Sequence, residues 1–339
     1  MPQRILSILP ILLSCLAWGW PTQPAAALDK VTLATNWLAQ PELGGFYQAA
    51  VDGTFRKYGL DVTIRPGGPL VNNRPLLAFG QVEFLVGTNL LQPFDAAKQG
   101  IPTQVVAAFF QKDPQCLLAH PGQGYEKWED LTRAPLYLSN AGRHSFFLWM
   151  KAVHGFQAKN LRPYNHSLAP FLVDKSAVVQ GYVTAEPFRV QEAGGAKPLV
   201  FLMADHGWNG YSTVLEARTE FIQKQPDVVQ RFVDASIEGW RNYVDGRNID
   251  ATNARIRREN KSMTPELIAY SREEIRKRQL VDGGDAPELG IGGIDLQRVA
   301  NFYGATVEAG LFKQGEIDPA ACVTTRFVNR GEGRPTSAR

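Results

Sequence analysis

The chain reads as an α/β protein built from two units, and three observations lead there. Strand and helix signals alternate from Lys30 to Phe110, a second alternation starts near His120, and 339 residues is a length for about two domains. The composition, 44% hydrophobic with 10% aromatic, is that of an ordinary packed protein, so a core of that size can be filled.

Residues 30–34 alternate polar and apolar and predict a strand. Apolar residues at helical spacing over 43–57 predict a helix that stops at Gly59. A second strand over 60–64 is halted by Pro66, Gly67 and Gly68. A helix over 74–79 ends at Gly80, and the short apolar run 82–86 reads as a buried strand. Residues 93–98 are again helical, closed by Gly100, and 105–110 form a further strand. In the second unit Trp128, Glu129, Asp130 and Leu131 open the pattern. A strand over 136–138, a turn over 139–142 and a helix over 143–153 follow. Residues 176–182 read as helix passing into strand, and 199–203 as a strand near a return crossing.

The last third is helical. Residues 219–244 carry Pro226 at a helix start and Gly239 inside, 265–279 form a charged amphipathic helix, and 295–309 form another. Gly283, Gly284, Gly290, Gly292 and Gly293 between them read as a loop, and the polar Gly- and Arg-containing segment 329–339 as a disordered tail. The resulting division is 1–27 as leader, 28–117 as the first part of lobe 1, and 118–206 as lobe 2. Residues 207–328 return to lobe 1 and add the C-terminal helices, and 329–339 are a flexible tail. A hinge is expected in two strands near 114–120 and 203–212.

The leader indicates the compartment. Arg4 supplies a positive start, 5–18 is almost continuously apolar, and Pro21, Pro24 and Ala25-Ala26-Ala27 follow. These are the three parts of a secretory signal peptide, with the cut expected after Ala27 and the product in the periplasm. The apolar stretch falls short of the roughly 20 residues a spanning helix needs. Leu12-Leu13-Ser14-Cys15 loosely matches a lipoprotein processing site, so a lipid on Cys15 is the alternative. Removing Arg4 with the leader leaves a net charge of about +2, which argues for neither a nucleic acid nor an anionic membrane surface as partner. Cys116 and Cys322 remain, either bridged or as two isolated buried thiols; neither has the CxxC spacing of a metal or redox site.

Catalytic signatures are missing from the sequence: there is no GxSxG, HExxH, Walker loop or GxGxxG after a strand. The five histidines include no i, i+4 pair, so no metal, cofactor or catalytic residue is predicted. Aromatic and polar residues instead recur at strand ends, where open α/β sheets bind ligands. Asn36 and Trp37 end the first strand, with Glu42, Phe46 and Tyr47 in the next helix. Gly67 and Gly68 follow the second strand, Thr88 and Asn89 the third, and Phe109 and Phe110 end the fourth. Ser139 and Asn140, then Tyr182 to Glu186, then Trp208 and Tyr211 hold the matching places later. Each alone has a plainer reading: Trp37 and Phe46 as core, Thr88 as a helix cap, Asn140 as a turn residue, Glu186 as a first-turn carboxylate. Their recurrence after almost every strand is what favours a binding cleft.

Several phrases resemble a family. Asn36-Trp37, Gly45-Phe46-Tyr47-Gln48-Ala49-Ala50 and the run from Gly53 to Val62 resemble the opening of substrate-binding proteins related to yeast pyrimidine synthase, the SsuA/THI5-like or NMT1-like group. The phrases Leu77 to Gly87, Gly181 to Phe188 and Gln225 to Ala235 resemble later elements of the same group, so the likeness covers most of the chain after the leader. The resemblance implies a two-lobed periplasmic-binding-protein (type II) fold with two crossovers and C-terminal helices. It implies a monomer that hands a small molecule to an ABC permease in the inner membrane. Relatives take up sulfonates such as taurine, nitrate, thiamine pyrimidine precursors or riboflavin. The Asn-Trp start is most similar to the pyrimidine-precursor branch, which implies Trp37 and Tyr47 as an aromatic wall and Glu186 as partner of ring amino groups. Glu42 departs from the pattern, since several relatives carry histidine there.

The residue chemistry points the same way. A flat ring on aromatics gains about 0.5–1.5 kcal/mol per good stack, and a carboxylate accepting ring N–H groups adds directed, charge-assisted bonds. An anion would call for arginines or for bare helix N-termini. The strand-end set holds Glu42 and Glu186, with Arg65 and Arg143 as the basic neighbours, so a neutral or cationic ring is expected over an anion. Two other classes remain: a pyrimidine synthase-like enzyme, which by resemblance needs a cysteine-rich segment and a lysine for pyridoxal phosphate, and a ligand sensor serving a receptor.

Overall fold

The computed structural model describes residues 27–69 and 71–333. The proposed cleavage leader up to residue 26, Cys15 within it, and the tail from 334 onward lie outside the described residues. Ten strands form two five-stranded mixed sheets. They are β1 (Asp29–Thr35), β2 (Leu60–Arg65), β3 (Phe84–Asn89), β4 (Thr103–Phe110), β5 (Gln115–Ala119), β6 (Leu136–Leu138), β7 (Leu161–Pro163), β8 (Val178–Tyr182), β9 (Leu199–Leu202) and β10 (Ser212–Arg218). The first sheet has the order β2-β1-β3-β10-β4 and the second β7-β6-β8-β5-β9. Helices flank both, giving the two-lobed α/β architecture of periplasmic binding proteins.

Each sheet receives one strand that arrives from the other. β5 starts at Gln115 beside Tyr182, the last residue of β8, and runs antiparallel to it. β10 starts at Ser212 beside Asn89 and Phe110, the last residues of β3 and β4, and is antiparallel to both. A chain crossing between lobes enters at the edge nearest the other lobe, whereas β1, β3, β6 and β8 end there. That topology forces the crossing strands to run backwards. β5 lies inside the hinge strand expected near 114–120, whereas β10 begins only where the one expected near 203–212 ends; neither alternates, since all five residues of β5 and six of seven in β10 are buried. The sequence patterns missed β7 and the helix Ile249–Glu259.

The first lobe's core explains several glycines. Helix Gly44–Val51 lies against the long helix Pro226–Asp245, and a Cβ on Gly45 would overlap Trp240, one on Gly44 Tyr243. Gly239 faces Gly45 O from the other side, so the backbones meet where side chains are missing. Phe46 then packs edge-on to Phe109 at 5.1 Å, and Phe84 stacks on Phe232 at 4.0 Å. Pro226 opens the long helix and Gly246, at φ 80°, closes it. Glu216 of β10, fully buried, is held by Arg74 through two bonds of 2.8 and 3.0 Å.

The C-terminal segments are more ordered than their composition suggests. The glycine-rich stretch is a docked strap: Gly292 O accepts from Ala108 N at 2.9 Å, and Gly293 O from Gln111 Nε2 at 3.0 Å. Residues 329–333, expected as the start of a disordered tail, are pinned as well. Asn329 makes two bonds to the Ile294 backbone, at 2.9 and 2.8 Å, and Ile291 N donates to Glu332 O at 3.0 Å. The polarity of this segment serves backbone groups of the strap, which is why composition misled. Beneath it Arg298 ties both crossings together. Its guanidinium bonds Gln111 O on the first crossing, Asn209 O (3.1 Å) on the second and Asp285 (3.0 Å), while lying 4.2 Å from the Tyr211 ring centre. Among the described residues no helix is long and apolar enough to cross a membrane.

Candidate ligand-binding cleft

The facing edges of the two sheets are joined by the crossings 111–114 and 203–211, and the strand ends meet there. On the first lobe, Thr35 Oγ1 donates to Trp37 O at 2.8 Å, and Gly67 N reaches Trp37 O at 3.1 Å. Gly67 allows this because a Cβ would strike Thr35 O and the Asn36 backbone. The turn holds Trp37 half-buried, with Gly68 behind Leu38. Asn36 Nδ2 donates to Thr88 Oγ1 at 2.8 Å, and Thr88 O accepts from Ser212 Oγ at 2.7 Å, so the β1 and β3 ends form one polar ledge.

Across from this ledge stands His166, just after β7. Its ring centre lies 5.8 Å from that of Trp37, tilted by 50°, and 5.3 Å from that of Tyr164. His166 sits at φ 66°, a left-handed backbone that few non-glycine residues adopt. Desolvation pushes its imidazole below the ordinary value, favouring the neutral ring. An aromatic contact therefore spans the two lobes.

Buried carboxylates lie near it, Glu186 acting on Tyr164, whose ring adjoins His166. Glu186 caps β8 with Oε2 accepting from Tyr182 N at 2.6 Å, and burial pushes its carboxyl above the usual range against that bond and the Arg189 charge. Asp113, on the first crossing, is pushed up to about 6 by burial, opposed by bonds from Gln115 N and Asn89. Tyr182 lies among Asp113, Glu42 and Glu186, and burial together with these carboxylates raises its phenol. Such groups, dehydrated but rich in acceptors, suit a ligand that brings N–H donors.

Not every residue chosen from the sequence reaches this place. Tyr47 is fully buried; its hydroxyl donates to Glu259 at 3.0 Å and Arg255 lies over its ring, so it joins two helices and forms no wall with Trp37. Phe110 is core, edge-on to Trp240 at 5.5 Å. Trp208 is enclosed between Trp149 (5.3 Å) and Phe302 (4.9 Å). Glu42 accepts from the Thr184 hydroxyl, and Ser271 Oγ donates to Thr184 O at 2.7 Å, so Glu42 clasps the lobes together. Asn140 is exposed at the start of the short helix Asn140–Arg143. Asn89 caps Leu91 N at 3.1 Å and supports Asp113. Trp37, Asn36, Gly68, Thr88 and Glu186 remain at the cleft, joined by His166, Tyr164, Asp113 and Arg189. Sequence reading did not single these out: Tyr164 and His166 follow a strand only three residues long, Asp113 lies on a crossing with no periodicity to read, and Arg189 sits inside a short helix. Among the described residues no group of three or more His, Cys, Asp or Glu is placed to hold a metal.

The NMT1/THI5-like family model matches residues 40–245, which takes in β2 through β10. The chain belongs to the NMT1/THI5-like family. Among relatives, it is similar to the riboflavin-binding protein RibY of Chloroflexus aurantiacus, 26% identical over 70% of this chain and 74% of that protein. In fold it is similar to the periplasmic aliphatic sulphonate binding protein SsuA of Escherichia coli, with a TM-score of 0.66, 13% identity, and coverage of 92% of this chain and 97% of the other. The desulfurization enzyme DSZB has a comparable likeness, with a TM-score of 0.61, 12% identity, and coverage of 89% and 98%. Family membership thus establishes the fold, and the fold houses binders and at least one enzyme. The cysteines give no support to thiol chemistry in this family member. Both are free and buried; Cys116 Sγ donates to Gly181 O at 3.3 Å with burial raising its thiol, and burial pushes Cys322 up to about 12.

Proposed function

We propose that this chain is an extracytoplasmic solute-binding protein that captures a flat, N–H-bearing heterocycle, a pyrimidine of the thiamine-precursor kind, and presents it to an ABC permease. The observation that carries the reading is the contact between Trp37 and His166 across the lobes, near the desolvated Glu186. Two stacking gaps of about 3.5 Å each require wall rings roughly 7 Å apart. The present 5.8 Å therefore needs to widen by only about 1 Å, with loss of the tilt, for one ring to enter. A ligand held from both sides favours the closed arrangement because only that arrangement contacts it twice. The signal-peptide pattern supports export, and family relatives that bind small solutes support the transport role.

A second reading, riboflavin, is favoured by the RibY similarity, since an isoalloxazine is also flat and carries a ring N–H. Mass spectrometry of the molecule retained by natively purified protein separates the two. Calorimetry of Glu186→Gln with that molecule then tests the acceptor role. A loss of about 2–4 kcal/mol in binding is expected, because an amide donor would face a ligand donor. Unchanged affinity, or a retained ligand without a ring, would overturn the proposal.

A further inference from the structure

Outside the cleft, the helices Ile249–Glu259 and Pro265–Lys277 enclose a groove of about 430 Å³. Apolar Ile249, Pro265 and Ile268 line it together with Asn253, Arg257 and Arg272. A second hollow of about 310 Å³ shares Arg257 and continues to Arg258 and Lys261. Two polar atoms of the lining side chains are enclosed without a partner, Asn253 Oδ1 and Arg272 Nε. An enclosed donor or acceptor left unpaired is costly, so each such atom calls for an explanation.

The charges of the groove are unbalanced. Arg257, Arg258 and Lys261 are exposed, and among the described residues none of them has an ion pair or a hydrogen bond. Arg255, on the same helix, is instead paired with Glu259 at 2.9 Å. Arg272 donates to Tyr243 O at 3.0 Å and lies 5.2 Å from that ring's centre. Burial, and after it the Arg276 charge, push its guanidinium down against the pull of Tyr243 and Asp250. Four basic side chains, Arg257, Arg258, Lys261 and Arg272, thus line the two hollows with one acidic side chain, Asp250.

The two helices are tied to opposite sides of the cleft. Just past the first helix, Asn260 Nδ2 donates to Ala39 O at 2.9 Å, two residues beyond Trp37. From the second helix, Tyr270 OH donates to Val183 O at 3.2 Å and Ser271 Oγ to Thr184 O at 2.7 Å, on the second-lobe turn that carries Glu186. The wall that bears Arg272 is therefore braced by the second lobe while the lobes are closed.

We propose that this groove docks an acidic, amphipathic segment of the membrane permease, and that closure of the lobes completes it. The proposal rests on the transport reading above and names the surface and the chemistry of its partner. Such a segment brings carboxylates for the four cations, apolar side chains for Ile249 and Ile268, and backbone donors and acceptors of the kind that Asn253 Oδ1 and Arg272 Nε lack. A small anion supplies only the first of these. A permease has to tell a closed binder from an open one, and one wall of this groove depends on that state.

Two measurements test it. In the first, a fluorescein-labelled leucine-glutamate peptide of roughly 15 residues, long enough to hold a helix, is titrated by fluorescence polarisation at low salt. Its glutamine and lysine counterparts are the controls. The glutamate peptide should bind at least about tenfold more tightly than the glutamine one, and hydrogen exchange should slow over residues 249–272. The double variant Arg257→Glu, Lys261→Glu should lose the glutamate peptide and accept the lysine one. Thr184→Val removes the bond to Glu42 without touching the groove, and should weaken the glutamate peptide several-fold by freeing the lobes. Melting curves confirm that each variant is folded. In the second, a photo-crosslinking residue replaces Ala254 in the groove lining, in intact cells, with Val173 on the second lobe, 84% exposed, as the control position. A permease subunit should be joined from Ala254 and not from Val173. Equal affinity for the glutamate and glutamine peptides, or exchange protection elsewhere, would overturn the docking site. Unchanged affinity in Thr184→Val would overturn its dependence on closure. An Ala254 adduct with a second copy of this chain, or none with a permease, would overturn the permease as occupant. An adduct with a receptor would keep the groove and discard the transport reading. The cleft reading fails separately, since the molecule retained between the lobes is identified without the peptide.

Discussion

Two tryptophans at the lobe boundary have opposite surroundings. Trp37 sits at the cleft mouth, half-buried, with one ring of the other lobe 5.8 Å away. Trp208 sits on the second crossing, 1% exposed, packed between Trp149 of the second lobe and Phe302 of a C-terminal helix. Both follow a strand and both looked like wall residues. The first is free to change partners, because its backbone is fixed by the Thr35–Gly67 turn and its ring is not enclosed. The second is held on two sides by side chains that also belong to other cores. A mouth can open while the floor beneath stays shut, which a two-lobed binder requires.

The comparison can be broken most directly at the floor. Trp208→Ala should cost about 3–5 kcal/mol of stability, read by urea denaturation, because the cavity lies among large rings that cannot collapse into it. A loss below 1 kcal/mol would show the floor to be as loose as the mouth. Asp113, also on the floor, should make stability pH-dependent. Its folded carboxyl titrates near about 6 against an ordinary 3.8, so the folded state binds the proton more tightly. That contribution is complete below 3.8 and is lost as pH rises through about 6. The loss is on the order of 3 kcal/mol. Asp113→Asn should reduce the fall in melting temperature across this window, leaving the part that the raised Glu186 carboxyl contributes in the same direction, and an unchanged slope would show that Asp113 contributes nothing.

At the mouth the expected effects move from stability to binding. Trp37→Ala should weaken the retained ligand by about 1–3 kcal/mol in calorimetry, yet leave the melting temperature of the free protein nearly unchanged. A sharp fall in melting temperature would place Trp37 in the same class as Trp208. The smallest effect is expected at Asn140, exposed on the second-lobe rim, where alanine should alter stability by no more than about 0.5 kcal/mol. A larger change would show that the rim takes part in holding the strand end.

Much of the fold was legible because burial leaves a periodic trace. The alternation in β1, the helical spacing before Gly59, and Pro226 at a helix start each follow from local rules. A strand was expected near 114–120, where β5 lies, but the bounds of β10 were not legible, since a strand buried on both faces carries no alternation. The site was less legible. Asn36, Trp37, Thr88 and Glu186 were chosen by their places after strands, and the structure sets them at or just beyond the ends of β1, β3 and β8. Tyr47 was chosen by resemblance, but its hydroxyl turns to Glu259 on a helix that the sequence patterns did not reveal. Residues 329–333 looked disordered because composition counts polar atoms and cannot count the backbone groups they satisfy.

The sequence by itself determined the α/β class, the order of most elements, the family, and a leader pattern pointing out of the cytoplasm. Those rest on local propensity, periodicity and contiguous phrases, all of which act within a few residues along the chain. The tertiary structure alone decided which aromatic faces which. His166 meets Trp37, Trp208 is sealed between Trp149 and Phe302, and Glu42 clasps Thr184. Each pairing joins residues far apart in the chain, and strand order in each sheet, which no local signal encodes, is what brings them together.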